Sequence, residues 1–254
     1  MKFLVLLFLL GTATAGNPST RPARTAPRSS SVASAPAVLR KFNLAPLWLV
    51  SAKPAEAQTM LGCMGPQYRP FDLVYEKVMR DSKNPAVYHV QGKSRERERL
   101  LPFSGTITVV ALKKVTYGNS ALASKAPAHY QATGRFRLTE SAQQEGAGTF
   151  TGTFTTTFSH TPEGLSYMPG RPYWWTEGPA GEGSTFTSTW TSAMHPQPVK
   201  LVWASNFMNI VDSVISGFSV GERGPGITRK YARVGWSRYW ENDEWWVEAE
   251  GPVL

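Results

Sequence analysis

Residues 149–159 read Thr-Phe-Thr-Gly-Thr-Phe-Thr-Thr-Thr-Phe-Ser, with Phe150, Phe154 and Phe158 on one parity and Thr149, Thr151, Thr153, Thr155 and Thr157 on the other. Successive side chains of an extended chain point to opposite faces, so this alternation specifies a strand with one apolar and one hydroxylated face. Residues 184–192 show the same device. There Phe186 and Trp190 share a parity with Ser184, Ser188 and Ser192, while Thr185, Thr187, Thr189 and Thr191 form the other face. The two segments share Thr-Phe-Thr-x-Thr at 149–153 and 185–189, but no fixed period extends around the match. Two neighbouring strands of one sheet, with threonines laddered across them, account for it.

Strand patterns surround these two segments. Residues 87–93, 102–115 and 129–139 are rich in β-branched or alternating residues. In 129–139, Tyr130, Phe136 and Leu138 share a parity, with Arg135 and Arg137 opposite. Residues 199–205 follow a short His195-Pro196-Gln197-Pro198 connection of hairpin length, and 215–220, 229–240 and 244–250 read as further strands. In 69–80, Phe71, Val74, Tyr75 and Val78 fall at helical spacing behind Pro70, which predicts a short helix, although the β-branched and aromatic content leaves a strand open.

The expected fold is all-β and mainly antiparallel: a single lipocalin-like β-barrel, or a β-sandwich, of about eight to ten strands with a short N-terminal helix. The resemblance to lipocalin-like barrels, closed sheets that hold apolar ligands inside, is one of architecture alone. No Gly-x-Trp opens the first strand.

The N-terminus reads as a leader and a tail. Lys2 precedes an unbroken apolar run from Phe3 to Leu10, and Ala13-Thr14-Ala15 supplies a small-x-small site before Gly16, which predicts a signal peptide over 1–15 and an exported product, periplasmic, cell-surface or extracellular. The run is far short of the roughly 20 residues that a spanning helix needs. Residues 16–41, rich in Pro, Ser, Ala and Arg, read as a disordered tail, and 42–254 as a single β-rich domain. Residues 42–58 read as a first core-packing segment or as part of a longer propeptide, because Ala55-Glu56-Ala57-Gln58 repeats the small-x-small pattern.

The formal charge of +9 argues less for nucleic acid than it first suggests. Six of the 27 Lys and Arg lie in residues 1–41 with no acid beside them, leaving 21 against 18 Asp and Glu in the rest. The densest cluster, Lys93-Ser94-Arg95-Glu96-Arg97-Glu98-Arg99, alternates in sign and suits local ion pairs better than a phosphate-binding stripe. Cys63 is the sole cysteine, so no disulfide forms within one chain, and it reads as a small buried residue.

Catalytic and metal motifs are absent from the sequence. His89, His129, His160 and His195 have no partner at metal-ligand spacing. The glycine stretches at 178–183 and 221–226 lack the strand, lysine and helix of a phosphate cradle, and no Gly-x-Ser-x-Gly occurs. No metal or cofactor is expected. The aromatic residues carry the positive signal. Tyr173, Trp174, Trp175 and Glu177 lie in a Pro/Gly-rich loop, where flat rings suit sugar rings or apolar ligands, and they are the predicted ligand-binding residues. Trp190, Trp203, Trp236 and Trp240 read as core. The expected function is non-enzymatic binding of a small apolar or carbohydrate ligand in an aromatic-lined mouth. The alternative is a structural or interaction protein of the cell envelope that presents its Thr-rich face, and a glycoside hydrolase using loop carboxylates such as Glu177 stands third.

Overall fold

A computed structural model of the chain describes residues 39–50, 59–115, 128–167, 183–207, 210–216, 218, 229–238 and 245–247. The expected signal peptide, the expected tail up to residue 38 and the processing-like site at 55–58 lie outside the described residues.

Nine strands form one antiparallel sheet: β1 (Met60–Met64), β2 (Arg69–Arg80), β3 (Val87–Glu96), β4 (Arg99–Val115), β5 (Ala128–Glu140), β6 (Gly148–Thr161), β7 (Gly164–Tyr167), β8 (Gly183–Ser192) and β9 (Val199–Ala204). Their spatial order is β5-β4-β3-β2-β1-β9-β8-β6-β7, and β5 also pairs with β6, from Ala128↔His160 to Thr139↔Thr149. Among the described strands, β7 alone has a single partner.

The alternation of the sequence decides which face turns inward. Phe136, Leu138, Phe150, Phe154, Phe158, Phe186 and Trp190 are all buried in one core, while Arg135, Arg137, Thr151, Thr153, Thr187 and Thr189, on the other parity, are exposed. Strand glycines let the sheet bend around that core. A Cβ at Gly134 would stand 2.0 Å from the Thr108 carbonyl oxygen and 2.6 Å from the Phe154 ring, so only glycine admits such a close approach there.

The lipocalin-like barrel is corrected by the contents of the sheet. Although the pairings return through β5–β6, the two halves lie face to face with their rings in contact and leave no lumen. Phe71 of β2 meets Phe150 of β6 at 5.6 Å, Tyr75 of β2 meets Phe186 of β8 at 6.0 Å, and Phe136 of β5 meets Trp203 of β9 at 5.3 Å. The arrangement is a sheet folded over and packed on itself, sandwich-like, rather than an open barrel.

One end of this core is closed by residues 39–50, which include helix α1 (Ala45–Trp48). Leu39, Leu44 and Trp48 are fully buried, and Arg80 Nη1 donates to the Phe42 carbonyl at 3.3 Å. Leu39, inside the segment expected to be tail, is thus packed in the core.

Two further expectations are overturned. Residues 69–80 form strand β2, not a helix. Phe71, Leu73 and Tyr75 point into the core, yet outward-facing Asp72 and Val74 are buried too, and a bulge between Tyr75 and Lys77 shifts the parity. Burial on both faces filled adjacent positions with apolar residues and imitated helical spacing. The expected strands at 215–220, 229–240 and 244–250 are not strands where they are described: residues 215, 216 and 218 follow the helical turn α2 (Val211–Val214), 229–238 form α3 (Arg229–Ala232) and a 3-10 turn (Trp236–Arg238), and 245–247 form a turn. Phe207, Val211, Ile215 and Phe218 recur every three or four residues, and with Tyr231 and Trp236 they cover Leu61 and Cys63 on the outside of β1. Cys63 is buried there, and desolvation pushes its thiol up to about 12. Among the described residues, no helix is long and apolar enough to cross a membrane.

Candidate functional site

Tyr173, Trp174, Trp175 and Glu177, the predicted ligand-binding residues, lie outside the described residues. In sequence they fall between Tyr167, the end of β7, and Gly183, the start of β8.

Among the described residues, the rings of the core pack against one another and leave no room for a ligand. The Phe186 ring lies nearly parallel to Trp203 at 5.4 Å, Phe154 stacks on the other neighbour side at 5.7 Å, and Phe136 meets both Phe186 and Trp203 edge-on. A recess among Met64, Phe71, Arg99, Glu140, Phe150 and Trp190 is too narrow to admit a water-sized sphere.

Both ends of the core hold buried polar groups whose bonding is already spent on the fold. Near β3, the Glu140 carboxylate accepts from Ser94 Oγ at 2.7 Å, the Gly148 N–H at 2.8 Å and Trp190 Nε1 at 3.1 Å. Charge-assisted bonds of this kind keep a buried carboxylate satisfied. At the end closed by residues 39–50, Trp48 Nε1 donates to Ser184 Oγ at 3.0 Å and Thr156 Oγ1 at 3.2 Å, and the two hydroxyls lie 2.8 Å apart. The Tyr167 hydroxyl joins Ser184 and donates to the Leu47 carbonyl. Burial pushes the Tyr167 phenol well above its usual range, so it acts as a neutral donor. These groups fasten the ends of the core and are closed to a substrate.

The histidines offer no nucleophile or metal. His129 Nδ1 lies 3.1 Å from Ser159 Oγ, but Ser159 is only 4% exposed and out of reach of a substrate. Desolvation also lowers the His129 pKa. His89 Nε2 contacts Asp81 Oδ2 at 3.0 Å across an exposed turn. Among the described residues, no group of three His, Cys, Asp or Glu side chains is arranged to hold a metal ion.

What remains is the outside of the sheet. Pairing aligns Arg137 with Thr151, Thr151 with Thr189, and Thr189 with Lys200, one row across β5, β6, β8 and β9. The next row runs Arg135, Thr153, Thr187, Val202, and a third joins Thr139, Thr149 and Thr191. Arg135, Arg137, Thr139, Thr151, Thr153, Thr187, Thr189 and Lys200 are exposed. Adjacent strands lie about 4.8 Å apart and alternate residues of a strand about 7 Å apart, which sets the mesh of this hydroxyl array. Among the described residues, Arg135 and Arg137 make no ion pair or hydrogen bond. Within the strands from β4 to β9 themselves the only acid is Glu140, and it points inward.

Comparison with known proteins returns no match to a family model, a curated protein or a solved structure, so the site is read from its geometry. The sequence placed the threonines on one face and set Arg135 and Arg137 opposite the apolar parity. It missed Lys200, whose signal is the alternation Val199-Lys200-Leu201, and Glu140, whose signal is an acid on the inward parity of Phe136 and Leu138.

Proposed function

We propose that the protein is a non-enzymatic binding protein that takes an extended glycan on the outer face of β5, β6 and β8. The observation that carries this reading is the register: exposed Thr151 and Thr153 stand beside exposed Thr189 and Thr187, with Arg137 and Arg135 in the same two rows. Each hydroxyl both donates and accepts, which matches the hydroxyls of a sugar chain, and a rigid sheet presents them without an ordering cost. The filled interior directs recognition to the surface. Export, proposed from residues 1–15, brings such a face to where cell-surface glycans are found.

The test is a glycan array with the purified full chain, followed by titration of the strongest binder against the Thr153→Val/Thr187→Val double variant. Valine keeps the shape and strand preference and removes the hydroxyl. Affinity falls about tenfold, close to 1.4 kcal/mol, while unfolding free energy changes by less than about 0.5 kcal/mol per site. A folded parent that binds no glycan, or a double variant that binds as well as the parent, overturns the reading.

A further inference from the structure

We infer that the glycan is acidic, a polysaccharide whose sugars carry carboxylate groups. This deepens the reading above and rests on it. The strands from β4 to β9 place Arg135, Arg137 and Lys200 on one exterior face with no acid among them, the single acid of these strands being turned into the core. On β2, β3 and the start of β4 three arginines are engaged: Arg95 with Asp72 at 2.8 Å, Arg69 with Glu96 at 2.7 Å, and Arg99 with Glu96 at 3.3 Å. Arg135 and Arg137 stand apart from that pattern, exposed and unpaired among the described residues. A guanidinium presents a planar fork that matches a carboxylate with two parallel hydrogen bonds.

Spacing separates an acidic glycan from other anionic partners. Arg135 and Arg137 stand about 7 Å apart along β5, and Arg137 and Lys200 close one row at about 14 Å, three strand spacings. The positions between them are threonines. Duplex DNA carries one charge per roughly 1.7 Å of its axis, and proteins that bind it meet that density with clustered cations. Few cations among many hydroxyls fit a polymer with few anions among many hydroxyls. A second copy of the chain is a poor occupant, because a two-fold contact through this face would set Arg135 and Arg137 against their own kind.

The experiment titrates the full chain with polygalacturonate, the same polymer after methyl esterification, neutral dextran and duplex DNA of matched length. Polygalacturonate binds at least tenfold more tightly than its methyl ester or dextran, and its binding weakens as salt is raised. Arg135→Gln/Arg137→Gln loses at least tenfold in affinity for polygalacturonate, and the chain stays folded by circular dichroism. Equal binding of the acid, the ester and dextran overturns the acidic assignment and leaves glycan binding standing. Tighter binding of DNA overturns it in favour of nucleic acid. No binding of any carbohydrate overturns both readings, and arginine variants that bind polygalacturonate like the parent overturn the assignment to this face.

Discussion

The flank made by β2, β3 and the start of β4 and the outside of β5, β6 and β8 both carry arginines, and the two regions use them in opposite ways. On that flank Arg95 bonds Asp72 on the outer face, Arg69 and Arg99 share Glu96 at the end of the core, and Lys93 reaches both Glu76 at 3.2 Å and the Trp246 carbonyl at 2.8 Å. The Arg95 guanidinium also lies 4.8 Å from the centre of the Trp245 ring. Charge here fastens neighbouring strands together and holds the 245–247 segment against them. On β5, Arg135 and Arg137 fasten nothing among the described residues. The same side chain serves as internal hardware on one flank and as an offered group on the other, and the difference is set by whether an acid stands across the ladder.

The largest expected contrast comes from removing one arginine on each flank. Arg95→Gln strands the Asp72 carboxyl, which burial already pushes above its usual range and which the guanidinium pulls back. A loss of about 3 kcal/mol in urea unfolding is expected, as for a buried pair that loses one partner. Arg137→Gln should stay within about 0.5 kcal/mol of the parent. Equal costs at the two sites would break the comparison. A smaller effect is expected for Glu96→Gln, which releases both Arg69 and Arg99: about 1 kcal/mol, shrinking as salt is raised. A salt-independent loss would show that packing, not charge, is what Glu96 supplies.

The smallest effect concerns Asp81, at the turn between β2 and β3. The His89 ring, with the N–H groups of Asn84 and Lys83, holds its carboxyl down at about 2 from an ordinary 3.8. A depressed acid stabilises the fold above its unfolded value, and that contribution is lost as pH falls from about 4 towards 2. Carboxyl NMR titration reads the value directly, and His89→Gln should move it back towards the ordinary range. An Asp81 that titrates near 4 in the parent would remove the turn from the set of charge-fastened sites.

The two strands with clean alternation, β6 and β8, were legible because one face is buried and the other is not. β2 was misread because both of its faces are covered, so its period vanished into a run of apolar residues. The segment after β9 was misread for the opposite reason. Phe207, Val211, Ile215 and Phe218 have helical spacing, but the β-branched residues around them spoke for strands, and packing on the outside of β1 decided the matter. In the candidate face, residue types and their side of the strand were visible in advance. The alignment of Arg137, Thr151, Thr189 and Lys200 in one row was not, since register between distant segments is fixed by the whole ladder. The aromatic-lined mouth assumed a space inside the sheet, and only the contacts across the core reveal that the rings themselves fill it.

The segment that closes the core has a consequence for the order in which the chain is made and folded. Trp48 leaves the ribosome early, but its hydroxyl partners Thr156 and Ser184 follow 108 and 136 residues later, and β1 waits for β9. Contacts of such long separation are slow to form, because the loop they close is expensive before it is rewarded. Leu39, Phe42, Leu44, Leu47 and Trp48 therefore remain without their final neighbours until nearly the whole sheet has been synthesised. A chain of this design reaches its native state late, and during that wait these early-made apolar residues are ones that need shelter from other chains.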